Sequence, residues 1–185
     1  LVIDAVEGVT AIDATIGGYA HESGRSVIIV VNKLDLVPQA DRIIYEQQVR
    51  RALKFLDYAP IIFISASEGK NLEKLFKALD LVASERRKRI GTSQMNRFIE
   101  NVDFERASVP YRLKIKIFYM TQAQVSPPTF ILFTDKDVKL HFSYQRFLEN
   151  QIRKAFGFVG TPIWIKNRPR KKVELAAKPG KRQRS

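Results

Sequence analysis

Val27-Ile28-Ile29-Val30-Val31-Asn32-Lys33-Leu34-Asp35 is the stretch on which the fold turns. Its β-branched run is continuous rather than alternating, which suits a parallel strand covered on both faces. Working outward, Leu1-Val2-Ile3 predicts a short strand before it and Ile61-Ile62-Phe63-Ile64 a buried strand after it. Helical patterns fill the gaps. Thr10 is placed to cap a helix bearing Ile12, Ile16, Tyr19 and Ala20 at helical spacing, which Gly24 stops. Gly17-Gly18 weakens that helix by about 1 kcal/mol per glycine relative to alanine. After Pro38 a second helix is expected from about Asp41 to Phe55, with Ile44, Val49, Leu53 and Leu56 as its apolar stripe. Asn71 is placed to cap a third, with Leu72, Leu75, Phe76, Leu79 and Val82 on one face. The βαβαβα order predicts an α/β unit with a parallel sheet and right-handed crossovers.

Beyond Gly91-Thr92 the period changes. A helix from Ser93 to about Val102 precedes an alternating strand from Arg112 to Tyr119, and Pro127-Pro128 marks a loop before the strand Thr129 to Phe133. Ser143 is placed to cap a helix from Tyr144 to Phe156, with Phe147, Leu148, Ile152 and Ala155 inward. Gly157 stands where a left-handed residue ends a helix, and Thr161 to Lys166 reads as a last strand. The order αββαβ predicts an α+β domain. The expected division is residues 1–90, residues 91–166, and a basic flexible tail over 167–185.

The charge is uneven. The 185 residues carry Lys+Arg 32 against Asp+Glu 19, a net +13. Residues 1–90 contribute +1 (13 basic, 12 acidic), residues 91–165 contribute +4 (10 and 6), and residues 166–185 contribute +8 (9 and 1). A run this dense, with little to bury, reads as an arm that neutralises phosphates on RNA, in preference to a frayed solubilising terminus. Zero cysteines exclude a disulfide framework, a thiolate nucleophile and a cysteine zinc site. His21 and His141, far apart in sequence, do not suggest a histidine metal site, and His141 reads as a packing or capping residue. No apolar run approaches the ~18 residues that span a bilayer. The expectation is a soluble, cytoplasmic, monomeric protein with no membrane partner.

Two polar segments sit where parallel sheets bind ligands, at the carboxyl ends of adjacent strands: Asn32-Lys33-Leu34-Asp35 and Ser65-Ala66-Ser67. Their chemistry fits guanine. The Asp35 carboxylate can accept from N1–H and the exocyclic amino group, a donor pair adenine lacks. A site built around such a carboxylate rejects the wrong base by on the order of 10⁴-fold. Lys33 can lay its stem along the base, Asn32 can tie this loop to a neighbouring phosphate loop, and backbone N–H groups around Ala66 can donate to O6. Asn-Lys-x-Asp alone is a weak pattern, and the Ser-Ala turn one βα unit later sharpens it. No G-x-x-x-x-G-K-[ST] loop and no D-x-x-G occurs, so no catalytic residue is assigned. The chain opens inside an apparent strand without a methionine, from which a phosphate-handling half is expected upstream.

Leu1-Val2-Ile3-Asp4-Ala5-x-Glu7-Gly8-Val9-Thr10, the Asn32–Asp35 motif and Ser65-Ala66 together resemble the second GTPase domain of the Der (EngA) family, bacterial proteins with two GTPase domains in tandem. The likeness continues through Pro127-Pro128-Thr129-Phe130, His141 to Asn150, Ala155 to Phe158 and Gly160 to Ile163, blocks typical of that family's KH-like domain. It covers the chain to about residue 168. The resemblance implies a partial P-loop-NTPase-type parallel sheet lacking its phosphate-binding half, followed by a KH-like αββαβ domain. It also implies a GTPase that binds GTP and GDP with Mg²⁺, the magnesium ligands lying upstream, and that assembles the large ribosomal subunit by binding its RNA. By the family's pattern, Asn32, Lys33 and Asp35 serve the base. The alternative is a non-catalytic RNA-binding or scaffold protein with a vestigial GTPase-like half.

RNA-binding KH domains clamp the backbone with G-x-x-G between two helices. Gly157-Phe158-Val159-Gly160 falls instead between a helix and a strand, so a helix cap is the economical assignment. Arg112, Lys114, Lys116, Phe118 and Met120 share one side of an alternating strand, which reads as an RNA face with interleaved aromatics, as the solvent face of a half-buried strand, or as a surface docked on the GTPase half, the last being favoured. Phe130, Phe133, Phe142 and Phe147 are expected in the core.

Overall fold

The computed structural model describes residues 1–38, 41–104, 115–137 and 140–169. Arg112, Lys114 and the tail from Arg170 onward therefore lie outside the described residues. The first half is a parallel sheet of β1 (Val2–Asp4), β2 (Ile29–Asn32) and β3 (Ile61–Phe63), in that spatial order. Helices α1 (Ala11–Glu22), α2 (Arg42–Ala52) and α3 (Leu72–Arg86) connect and follow the strands. Val31 and Ile29 face one core cluster with Ile3, Val49, Leu53 and Leu56, while Ile28 and Val30 face another with Ala78 and Val82. Cover on both faces is what the unbroken apolar run called for.

Thr10 caps α1 as a capping box: Asp13 N–H donates to its hydroxyl, and the Asp13 carboxylate accepts the Thr10 N–H. The stripe expected inside α1 is on the outside, however. Ile12 (71%), Ile16 (52%) and Tyr19 (67%) are exposed, and α1 approaches the sheet through Gly17. A Cβ there would stand 3.0 Å from Leu56 Cδ1, so the glycine lets helix and 3₁₀ turn (Lys54–Leu56) close up. On α2 the buried contact is Val49, followed by buried Leu53 and Leu56 just past the helix end, with Ile44 exposed and Tyr45 half-buried in its place. On α3 the buried line is Ala78, Val82 and Glu85, and Phe76 and Leu79 are exposed. Asn71 stands at the start of α3 without capping it. Its φ is 61°, and its side-chain amide donates to Phe63 O at 2.9 Å, tying the helix start to the end of β3.

The second half runs α4 (Thr92–Glu100), β4 (Ile117–Gln124), β5 (Thr129–Thr134), α5 (Phe142–Phe156) and β6 (Trp164–Pro169). The sheet is mixed: β4 pairs antiparallel with β5, and β5 parallel with β6. Met95, Met120, Phe130, Leu132, Leu148, Ile152 and Phe158 are fully buried in one cluster. Gly91, not Ser93, precedes α4. His141, not Ser143, caps α5: its Nδ1 accepts the Ser143 N–H at 3.3 Å. Tyr144 takes the inward place expected for Ala155, Phe147 is half-buried, and Phe142 is 72% exposed rather than in the core. The last strand starts and ends three residues later than expected, so Asn167, Arg168 and Pro169 belong to the sheet.

β4 begins at Ile117 and carries an irregularity at Phe118: Ile117 pairs with Thr134 and Tyr119 with Phe133. Two residues face one, a bulge that changes which side each later residue takes. Met120 is thereby in the core rather than continuing an exposed Lys116–Phe118 face.

The two halves meet through the Gly157–Gly160 segment. Val27 N–H donates to Gly160 O at 2.7 Å, Gly160 N–H donates to Tyr58 O at 2.8 Å, and Ser26 Oγ lies 2.8 Å from Thr161 Oγ1. The Glu85 carboxylate accepts the Phe158 N–H and pairs with Lys88, which also donates to Phe156 O. Arg153 lies 4.7 Å over the Tyr58 ring. Gly160 has φ +69°, and a Cβ on it would stand 2.4 Å from Val82 Cγ2. Gly157 closes α5 with φ 88° but ψ −108°, outside the left-handed well expected for it. The G-x-x-G segment is thus a joint, with Phe158 in the core. From β4 it is Gln122, rather than Lys116 or Phe118, that reaches toward the join: its amide receives Ile90 N–H at 2.7 Å and donates to Lys88 O at 3.0 Å.

Candidate functional site

The rim at the carboxyl ends of β2 and β3 is built by two hydrogen bonds between loops. Asn32 Oδ1 accepts the Ala66 N–H at 3.0 Å, and Leu34 N–H donates to Ile64 O at 2.9 Å. Both are possible because the parallel register ends the two strands level: Val31 pairs with Phe63. Leu34 is buried to 1%, which anchors the turn Leu34–Leu36 and leaves its neighbours Lys33 and Asp35 outside. Lys33 itself has φ 65°, the left-handed conformation that reverses the chain here.

The Lys33 ammonium lies 2.6 Å from Asp4 Oδ2. Asp4 is in register with Asn32 across β1 and β2, so the pairing follows from strand alignment. The Lys33 hydrogen bond, and then the Val6 N–H, hold the Asp4 carboxyl below its usual range. Asp4 in turn holds the Lys33 ammonium above its ordinary value. Asp4 also orients the rim through its backbone, since the Tyr45 hydroxyl donates to Asp4 O at 3.2 Å. The sequence signal for the part of Asp4 at the rim is its place at the carboxyl end of β1, level with Asn32 at the end of β2.

Asp35 is exposed and makes no hydrogen bond or ion pair among the described residues. An unpaired carboxylate beside a fixed lysine stem is free to accept a two-donor ligand edge. Ser65 is fully buried. Its hydroxyl lies 3.1 Å from Ser67 Oγ and accepts the Glu68 N–H at 3.3 Å, while its backbone bridges Lys70. It therefore shapes the turn that presents Ala66. The Ala66 N–H, one of the donors expected for a guanine O6, is taken instead by Asn32. No group of three or more carboxylates or histidines able to hold a metal ion occurs among the described residues.

Residues 89–168 match the model for the KH-domain-like C-terminal domain of EngA bacterial GTPase enzymes, and residues 1–85 match the model for the elongation factor Tu GTP binding domain. Over nearly all of its length the chain is similar to the Der (EngA) family. GTPase Der of Geobacillus sp. (strain WCH70) is 46% identical over 174 residues, covering 92% of this chain and 40% of the relative. GTPase Der of Moorella thermoacetica is 44% identical over 168 residues, covering 88% and 38%. That of Lachnospira eligens is 44% identical over 177 residues, covering 94% and 40%. The chain thus spans about two fifths of the length of these Der relatives. Its architecture is an α/β sheet of the P-loop GTPase type joined to a KH-like α+β unit. A crystal structure of Era in complex with MgGDPNP and nucleotides 1506–1542 of 16S ribosomal RNA matches at a TM-score of 0.38 and 16% identity, covering 91% of this chain and 63% of that one. No helix among the described residues is long and apolar enough to cross a membrane.

Proposed function

We propose that this chain carries the guanine-reading edge and the RNA-associated domain of a GTP-binding GTPase that acts in assembly of the large ribosomal subunit. The observation that carries the nucleotide part is the double tie between the two strand-end loops, Asn32 to Ala66 and Leu34 to Ile64, with the Asp35 carboxylate unpaired beside it. In this reading Asp35 accepts from guanine N1–H and the exocyclic amine, and the Lys33 stem lies along the base. Asn32, Leu34, Ser65 and Ala66 hold those two in place. Hydrolysis, and the Mg²⁺ it uses, belong to a longer polypeptide of the Der type, with the magnesium ligands upstream of these residues. The protein works as a cytoplasmic monomer, and its division is a GTPase portion over 1–90, a KH-like portion over 91–166 and a basic tail over 167–185.

Asp35→Asn in a protein carrying the complete GTPase domain tests the base reading. Its expected effect is a loss of GTP affinity on the order of 10²-fold or more with a gain for xanthosine triphosphate, because asparagine presents a donor where the carboxylate accepted. Titration with fluorescent nucleotides measures both. Unchanged affinity for the two nucleotides would remove Asp35 from the site. Equal affinity of the unmodified protein for ATP and GTP would instead favour a scaffold with a vestigial nucleotide half.

A further inference from the structure

We infer that the outer face of the β4–β5–β6 sheet is a platform for single-stranded RNA, with Tyr119 and Phe133 stacking a base and Lys166 and Arg168 neutralising phosphates. This rests on the RNA-associated reading above and specifies the surface. The register defines the face. Tyr119 pairs with Phe133 and Phe133 with Arg168; Thr121 pairs with Ile131 and Ile131 with Lys166. These are two complete rows across three strands. They lie opposite the row Met120, Leu132, whose side chains are in the core.

Tyr119 and Phe133 belong neither to that core nor to the half-buried residues packed on it. Their rings stack on each other, with centroids 4.3 Å apart and planes 16° from parallel. Lys166, Arg168 and Lys116 are exposed, and Lys116 Nζ lies 5.7 Å over the Phe118 ring, itself 40% exposed. The bulge at Phe118 is what brings Tyr119 to the outer side.

The charge chooses among occupants. Neither row holds a carboxylate, and β6 leads into the basic run from Arg170 to Arg184. A protein partner would find half-buried apolar side chains here, but a polyanion also finds cations of a single sign. Within polyanions the rings decide, because duplex RNA keeps its bases stacked on each other whereas a single strand can lay them on an aromatic surface.

The test is fluorescence anisotropy of the whole 185-residue chain with a fluorescein-labelled oligouridine RNA. Joint K166E and R168E should weaken binding more than tenfold and lower the salt slope by about 1.4, from two phosphate contacts. Tyr119→Ala should weaken binding about tenfold at an unchanged salt slope, and Tyr119→Phe should restore it. The exposed lysine and arginine keep the test informative if Tyr119→Ala disturbs folding, which circular dichroism reports. Wild-type binding matched by all the variants would remove this face and leave RNA association standing. No binding by the wild-type chain would remove both. Preference for a duplex of the same length would overturn the stacking role. Dimerisation that the charge reversals abolish, seen in sedimentation, would give the face to a second copy of the chain.

Discussion

The two halves of the molecule bury their apolar residues differently. The KH-like half closes on itself: its sheet and two helices enclose Met95, Met120, Phe130, Leu132, Leu148, Ile152 and Phe158, and Phe118, Phe142 and Val159 are its exposed large apolar residues among those described. The GTPase half has two smaller clusters, one per face of a three-stranded sheet. It exposes Val2, Val6, Ile12, Ile16 and Tyr19 along β1 and α1, and Phe76 and Leu79 on α3. Its stability as this chain therefore leans on the joint at Gly160, Glu85 and Tyr58. The rim at the strand ends is well formed locally, because two loop-to-loop hydrogen bonds define it, while the sheet beneath is thin.

The comparison breaks first in the core. Phe130→Ala should destabilise the KH-like half by about 3–5 kcal/mol, and Ile16→Ala in the GTPase half should cost within about 0.5 kcal/mol. Urea unfolding followed by Trp164 fluorescence measures the first and far-ultraviolet circular dichroism the second. A large loss for Ile16→Ala would show that the α1 face is covered in solution.

Gly160→Ala attacks the joint. The new Cβ meets Val82 at 2.4 Å from a backbone with φ +69°, and overpacking with left-handed strain together should cost about 3 kcal/mol. The expected signature is separation of one unfolding transition into two, since Trp164 and the GTPase half would no longer report together. A single unshifted transition would show that the halves are not coupled through this segment.

Thr10→Ala removes the capping box of α1 and should cost about 1 kcal/mol, read as a lowered urea midpoint. The smallest effect belongs to Asp4 and Lys33, both at the surface. The Asp4 value is depressed, so its contribution is complete above the ordinary carboxylate value of 3.8 and is lost as pH falls through the folded one. The Lys33 value is raised, so its contribution is complete below the ordinary 10.5 and is lost as pH rises through the folded one. Asp4→Asn should flatten both limbs of stability against pH. Unchanged limbs would place the pair outside the folding equilibrium.

Most elements were legible because their signals are local. A β-branched run, a Thr-x-x-Asp cap and a helix-ending glycine each act within one turn or strand. Helix faces were less legible on α1 and α3, where apolar spacing matched helices whose residues the described chain leaves exposed. Spacing says which residues share a face, and contact decides whether anything covers it. The faces of β4 were less legible for a different reason: alternation assumes no bulge, and the one at Phe118 reverses it, sending Met120 inward. At the rim, Asn32 and Leu34 were visible as motif residues, but the Asp4–Lys33 pair needed the β1–β2 register.

The sequence by itself determined the order of strands and helices, the parallel character of the first sheet, the polar motif at the strand ends and the concentration of positive charge near residue 166. Tertiary structure alone decided that Gly157 to Gly160 joins two halves, that Asn32 grips Ala66, and that Tyr119, Phe133 and Arg168 share a row. The reason is range: backbone preference and side-chain period act between neighbours, whereas register and joints are set by contacts among residues tens of positions apart, such as Asn32 with Ala66 and Glu85 with Phe158.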